Sequence, residues 1–239
     1  MFDNILDFLK KEKPDILVCQ EVYNGQNQGL ERRYRSVEVL KRELGFSGAF
    51  FSLAFYDNWG GIGKVENGNA IFSKFPIISK RTVFFDVKFD KNYVRQEGAD
   101  PTFISRNMQQ AVLKVNGKKM NILNLQGIWG RDGEDNERRQ DMSRAIIKEI
   151  KGKESVILAG DFNVNQGTKT IADIGEHLRE IFKDELVSTF NLKRKPKPSG
   201  YDKAVVDRIF ASHDIKVIEH RCPQIDVSDH LPLVCVLDI

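Results

Sequence analysis

Val156-Ile157-Leu158-Ala159-Gly160-Asp161-Phe162-Asn163 is the stretch whose reading decides the fold. Four apolar residues, two of them β-branched, run directly into Gly-Asp-x-Asn, the pattern of a buried strand with an abrupt polar tip. Open α/β folds place their chemistry outside the carboxyl ends of such strands, so Asp161 and Asn163 are expected to project from one. Two readings of the tip stand side by side. It is an Asx turn that closes the strand, or a carboxylate and amide pair that handles a water, a metal or a phosphate oxygen. Similar polar tips at three other strand ends favour the second.

Upstream, Glu134 to Ile150 reads as an amphipathic helix with Met142, Ala145, Ile146 and Ile150 inward. Before it, Phe103 to Val115, Asn116-Gly117 and Lys118 to Leu125 form a β-hairpin, because Asn-Gly supplies the positive φ angles of a type I′ turn. The hairpin opens with Ser105-Arg106-Asn107 and runs out in Asn124-Leu125-Gln126-Gly127. Earlier still, a helix from Phe2 is stopped by Pro14, and Asp15 to Glu21 is the first strand. Glu21 at its end is either a surface cap or a metal ligand. Leu30 to Leu44 is expected to be a helix closed by Gly45, and strands are expected over Gly48 to Tyr56 and from Gly68 through Phe85. Asp86 to Thr102 is polar and long enough to form a binding rim.

Downstream of Asn163, a helix or turn runs to about His177, and Asp184 to Asn191 is ambiguous. Lys193-Arg194-Lys195-Pro196-Lys197-Pro198 is a basic run kept extended by its prolines; it is a solvated loop or a phosphate-facing one. Ala204 to Ala211 reads as a strand with Asp207 in its middle, and an acid so placed needs a partner. Asp226 to Pro232, which contains Asp229 and His230, precedes a last strand from Leu233 to Leu237.

With 239 residues, 41% of them hydrophobic, the chain is expected to form one domain over residues 1–239. A net charge of +3 suits an anionic ligand and excludes a polycation. The three cysteines, Cys19, Cys222 and Cys235, sit in apolar runs without CxxC spacing and read as reduced core thiols. No run approaches the roughly 18 apolar residues of a membrane span, no signal pattern opens the chain, and G-x-x-x-x-G-K-[ST] is absent. The expectation is a soluble cytoplasmic protein.

Five segments together resemble the endonuclease/exonuclease/phosphatase family, which includes deoxyribonuclease I. They are Pro14 to Val22, Asn69 to Ile77, Gly160 to Asn163, Val206 to Phe210, and Ser228 to Pro232, and the resemblance extends over essentially the whole chain. It implies an α/β fold: a four-layered α/β sandwich of two packed mixed β-sheets flanked by helices. It further implies that Glu21 binds a divalent metal, Mg²⁺ or Mn²⁺, with Asp229 as a further ligand; hard oxygen donors suit such ions. Asp161 would orient or deprotonate the attacking water and Asn163 would hold a phosphate oxygen. His230 would contact the phosphate or shuttle a proton, its ring fixed by Asp207, a pairing that also satisfies an in-strand acid. Arg106, Asn107 and Asn124 would join Asn163 in binding substrate.

Two departures stand out. The family's first strand, which ends in an asparagine, has no counterpart: the sequence opens at the first helix, so the domain is expected to be short at its N-terminus. Gln126 stands where two-histidine members carry a general-acid histidine, and glutamine cannot release a proton near neutral pH. The expected function is Mg²⁺-dependent hydrolysis of phosphodiesters in nucleic acid. A phosphoesterase for a small ester, such as an inositol phosphate or phospholipid head group, is the alternative. A catalytically weakened binding module of the same fold is the third reading.

Overall fold

Period-2 alternation, interrupted by helical stripes, builds four layers. The computed structural model describes residues 1–195 and 200–239. In chain order the first half contains α1 (Phe2–Glu12), β1 (Ile16–Tyr23), α2 (Ser36–Glu43), β2 (Gly48–Asp57), β3 (Val65–Ser73), β4 (Ile77–Phe85), β5 (Val94–Arg95), β6 (Arg106–Val115) and β7 (Lys118–Gln126). The second contains α3 (Glu137–Ile150), β8 (Val156–Asp161), α4 (Lys169–Gly175), β9 (Arg179–Glu180), β10 (Asp207–Ala211), β11 (Lys216–Arg221) and β12 (Val234–Asp238).

One sheet has the order β1-β3-β2-β5 and the other β4-β6-β7-β8-β10-β9. Both are mixed, through the parallel pairs β2 with β5 and β7 with β8. The apolar set that faces inward from each joins in one core, Ile71, Leu113, Ile122, Ile157 and Ile209 among it. Leu6 and Leu9 of α1 with Val37 and Leu40 of α2 cover the outer face of the first sheet over Ala70 and Phe72. Met142, Ile146 and Ile150 of α3 with Ile171 and Ile174 of α4 cover the second over Leu123, Leu125 and Leu158. Burying such side chains contributes about 1.5 to 3 kcal/mol each. The expected architecture of two mixed sheets between helices is therefore present.

Several boundaries differ from the sequence reading. The helix expected from Leu30 begins at Ser36, behind a 3₁₀ turn at Arg32–Arg35; the arginines at that turn oppose the helix dipole and pair with acids instead, Arg32 with Asp3 and Glu43. Asp207 is the first residue of β10, not its middle, because Thr189 takes the backbone N–H groups of Val206 and Asp207. The rim segment after Phe85 contains β5. A third sheet, β11 with β12, was not anticipated. Asn116 and Gly117 both adopt positive φ, as the hairpin turn requires.

Among the described residues no strand precedes α1, β1 pairs only with β3, and β12 only with β11. No helix among them is long and apolar enough to cross a membrane. The three cysteines are free, and burial pushes Cys19 up to about 12 and Cys222 and Cys235 up to about 11. Lys197 and its flanking prolines lie outside the described residues.

Candidate active site

The register of the large sheet brings the polar tips to one end. Gln126 at the end of β7 pairs with Asp161 at the end of β8, and Asp161 pairs with Asp207 at the start of β10. Phe85 at the end of β4 pairs with Arg106 at the start of β6. A bulge between Cys19 and Val22 breaks the pairing of β1 with β3, and Glu21 takes a positive φ of 55° there, which turns its carboxylate out to solvent. A non-glycine residue in that region is uncommon, and such strain is stored where function needs it.

From the bulge a chain of contacts runs across the site. Gln126 Nε2 donates to Glu21 Oε1, and Arg106 Nη1 donates to Gln126 Oε1 at 2.7 Å. Arg106 is only 5% exposed, and its Nε has no partner among the described residues. Burial pulls its guanidinium below the usual value, while Glu21 and Asp161 act in the opposite direction. Asp161 is lifted to about 7 by burial and then by the negative charge of Asp207, against the favourable influence of His230 and of the Asn163 N–H, which donates to Oδ1 at 2.9 Å. Asn163 is held at φ 54° with its Nδ2 donating to Gly127 O.

His230 Nδ1 donates to Asp207 Oδ2 at 2.8 Å. Burial would lower this imidazole, but Asp207, with Asp161 and Asp229 behind it, outweighs burial and lifts it to about 10, so the ring is an imidazolium near neutral pH. Asp229 is held below its ordinary value: Lys195, at 2.7 Å, and His230 prevail over its desolvation.

Asn107 and Asn124, expected to contact substrate, do not reach solvent. Asn124 donates to Cys19 O, Ala70 O and Gln109 and accepts from Gln20 Nε2 at 2.6 Å; it brackets the two sheets. Asn107 donates to Leu53 O and accepts from Asn69 Nδ2, another intersheet contact. Their polar capacity is spent inside the core, and a buried amide that lost these partners would incur a desolvation cost of about 1 to 3 kcal/mol. Glu21, Arg106, Gln126, Asp161, Asn163, Asp207 and His230 do share one end of the sheets. Asp229 lies beside His230, occupied by Lys195.

The clasp on the Asp207–His230 pair went unread in the sequence. Thr189 Oγ1 accepts the N–H groups of Val206 and Asp207, and Thr189 O accepts the Leu231 N–H at 2.7 Å. Phe190 bridges His230 through the backbone and packs its ring 4.5 Å from the imidazole. Asn191 N–H donates to Asp229 O, and its amide donates to Ser228 O. No local pattern in Asp184 to Asn191 announces this, because each bond is made to a residue far along the chain. On the opposite flank, Tyr23 Oη and Arg95 both donate to the buried Asp57, which ties the rim strand β5 to β2 close to Glu21.

Gly127 is required by close approach. Its N–H donates to Asp161 O at 2.6 Å, and a Cβ there would fall 2.0 Å from Phe162 O. Gly127→Ala is therefore expected to destabilise the fold by about 3 kcal/mol or more, the upper range for overpacking. A chemical denaturation midpoint matching wild type would contradict this contact.

Fold and cluster together define a class: two packed mixed sheets with a carboxylate, amide and imidazolium kit at their shared end. A sequence profile of the Endonuclease/Exonuclease/phosphatase family matches residues 2–230, and the chain belongs to that family. No curated protein matches the chain by sequence. A mannosyl-6-phosphatase from Bacteroides thetaiotaomicron superposes with a TM-score of 0.70 at 19% identity, covering 100% of this chain and 90% of its own. An endonuclease/exonuclease/phosphatase family protein from the same organism gives 0.72 at 18%, covering 99% and 85%. D. rerio TDP2, complexed with a single strand DNA product, gives 0.70 at 15%, covering 99% and 91%. At these identities the likeness is one of fold.

Proposed function

We propose that this protein is a divalent-metal-dependent phosphoesterase, using Mg²⁺ or Mn²⁺, that cleaves phosphodiester bonds in nucleic acid. The observation that carries the reading is geometric: the strand register sets Asp161 between Gln126 and Asp207, and Asp207 holds the His230 ring at 2.8 Å. A carboxyl so placed suits proton transfer from a water, and the neighbouring imidazolium suits an anion.

The residues present fit a hard cation. Glu21 is an exposed carboxylate on a strained bulge, and the crowding of Asp161 by Asp207 and Glu21 is what a positive ion would relieve. Among the described residues no three acidic, histidine or cysteine side chains converge as a metal cluster, and Glu21 is the carboxylate that would hold the cation. Asp229, now paired with Lys195 at 2.7 Å, would serve as the further ligand on releasing that lysine. When bound, the cation would neutralise charge on the phosphoryl group.

The chain's own residues supply the rest. Asp161 orients the attacking water and accepts its proton. Asn163 donates its amide to a non-bridging oxygen, in exchange for Gly127 O. His230 offers its second N–H to the developing negative charge while Asp207 holds the ring. Arg106 adds a positive charge at the same end, and Gln126 fixes it relative to Glu21. The amide of Gln126 is spent on that bridge, so its role is positioning.

Hydrolysis of a phosphodiester by the wild type in Mg²⁺ should disappear with a chelator and return when Mg²⁺ is restored. Glu21→Gln should raise the Mg²⁺ concentration for half-maximal activity by about tenfold or more, the scale on which metal-site partners act. Activity indifferent to chelation and to Glu21→Gln would remove the metal from the account.

A further inference from the structure

Outside the catalytic cluster, the rim built by the ends of β2 and β4 and the segment after them carries an unusual density of rings. Tyr56 lies 6.2 Å from Phe89, and Phe89 lies 6.1 Å from Phe84, so three rings touch in sequence. Phe84 is 37% exposed, and Phe103, farther along the chain, is 68% exposed. Cations already sit on two of the rings: Lys64 Nζ is 3.9 Å from the Tyr56 centroid, and the Arg138 guanidinium is 4.8 Å from that of Phe103.

The register fixes where this row lies. Phe84 pairs with Asn107 and Phe85 with Arg106, so the row starts one residue along β4 from the partner of Arg106, on the other face of the sheet. Tyr56 pairs with Val94, beside Arg95 and its contact with Asp57. Most of the acids on this segment are engaged. Asp86 pairs with Arg138, Asp90 accepts the Asn92 N–H, and Asp100 accepts the Thr102 N–H. Glu97 is exposed, set against the exposed lysines Lys64, Lys88 and Lys91. In the described part of the basic run, Arg194 pairs with Asp226 and Lys195 with Asp229.

An exposed ring, Phe84, continued by the half-buried Phe89 and Tyr56 and flanked by lysines beside a phosphate-handling site, fits one partner chemistry. Every unpaired base has a π-face that can stack on an aromatic side chain, while paired bases in a duplex hide theirs. We propose that Phe84 and Phe89, backed by Tyr56, form a stacking platform for unpaired bases of a single-stranded nucleic acid, with the exposed Lys88 and Lys91 at the phosphates. The platform rests on the phosphoesterase reading only for where the strand leads, namely to Arg106 and Asp161.

Binding can be read without turnover, by fluorescence anisotropy of a labelled 12-nucleotide oligothymidylate in excess chelator. Phe84→Ala and Phe89→Ala are each expected to weaken binding about fivefold or more, the low end of base–aromatic stacking. Phe84→Trp and Phe89→Trp should retain or strengthen it, which separates lost stacking from a disturbed loop. The same sequence annealed to its complement should bind wild type more weakly. Alanine variants that bind like wild type, tryptophan variants that bind no better than alanine, or a duplex bound as tightly as the single strand would overturn the platform. A wild type that binds the oligomer through these rings but hydrolyses no phosphoester would refute the phosphoesterase reading alone.

Discussion

Asp161→Asn is expected to lower kcat for phosphodiester hydrolysis by about 10²- to 10⁴-fold, the range over which a positioned general base acts, while leaving the protein folded. The substitution keeps the shape of the side chain and the acceptor for the Asn163 N–H, so β8 and its pairing with β7 and β10 should persist. It removes a charge that burial and Asp207 disfavour. The melting temperature should therefore stay level or rise even as turnover collapses. A residue that served only as a turn would give the opposite pattern, with activity intact and stability lowered. Steady-state kinetics and a thermal melt on the same sample distinguish the two.

The second large effect concerns the Asp207–His230 pair. His230→Gln should cost about 10²- to 10³-fold in kcat, the scale for losing a preorganised group aimed at developing charge. Asp207→Asn should approach it, because the 2.8 Å bond to Asp207 and the charge of that residue together keep the ring protonated and oriented. Residues that act as one unit do not add, so the double variant should be no slower than the worse single one. Additive losses in a kinetic double-mutant cycle would show that the two residues act separately. Neither effect depends on which phosphoester is cleaved.

Much of this was legible in the sequence, for reasons that differ from residue to residue. Val156 to Asp161 is buried along its whole length and so carries an uninterrupted apolar signal that ends at the polar tip. Asn116-Gly117 specifies its turn through backbone conformation alone. The orphan acid in Val206-Asp207-Arg208 demanded a partner, and His230 is that partner. The substrate role expected of Asn107 and Asn124 failed on side-chain direction. Both lie on the intersheet face of their strands, where amides from the two sheets satisfy each other.

What the sequence concealed depends on contacts distant along the chain. Thr189 holds Asp207 across 18 residues, and Tyr23 meets Asp57 across 34. The bulge that exposes Glu21 arises from pairing with β3, not from any turn residue in Cys19-Gln20-Glu21-Val22. The role of Gln126 is of the same kind. In sequence it reads as a missing acid, whereas in the fold it links Arg106 to Glu21.

On the proposed mechanism, water activated beside Asp161 attacks phosphorus. Hydrolysis of a phosphodiester by the Mg²⁺-loaded wild type in ¹⁸O-labelled water tests it most directly, with the products read by mass spectrometry. One labelled oxygen on the phosphate product and none on the released alcohol is the expected result. Label in the alcohol, or no hydrolysis of any phosphoester by the folded protein, would contradict it.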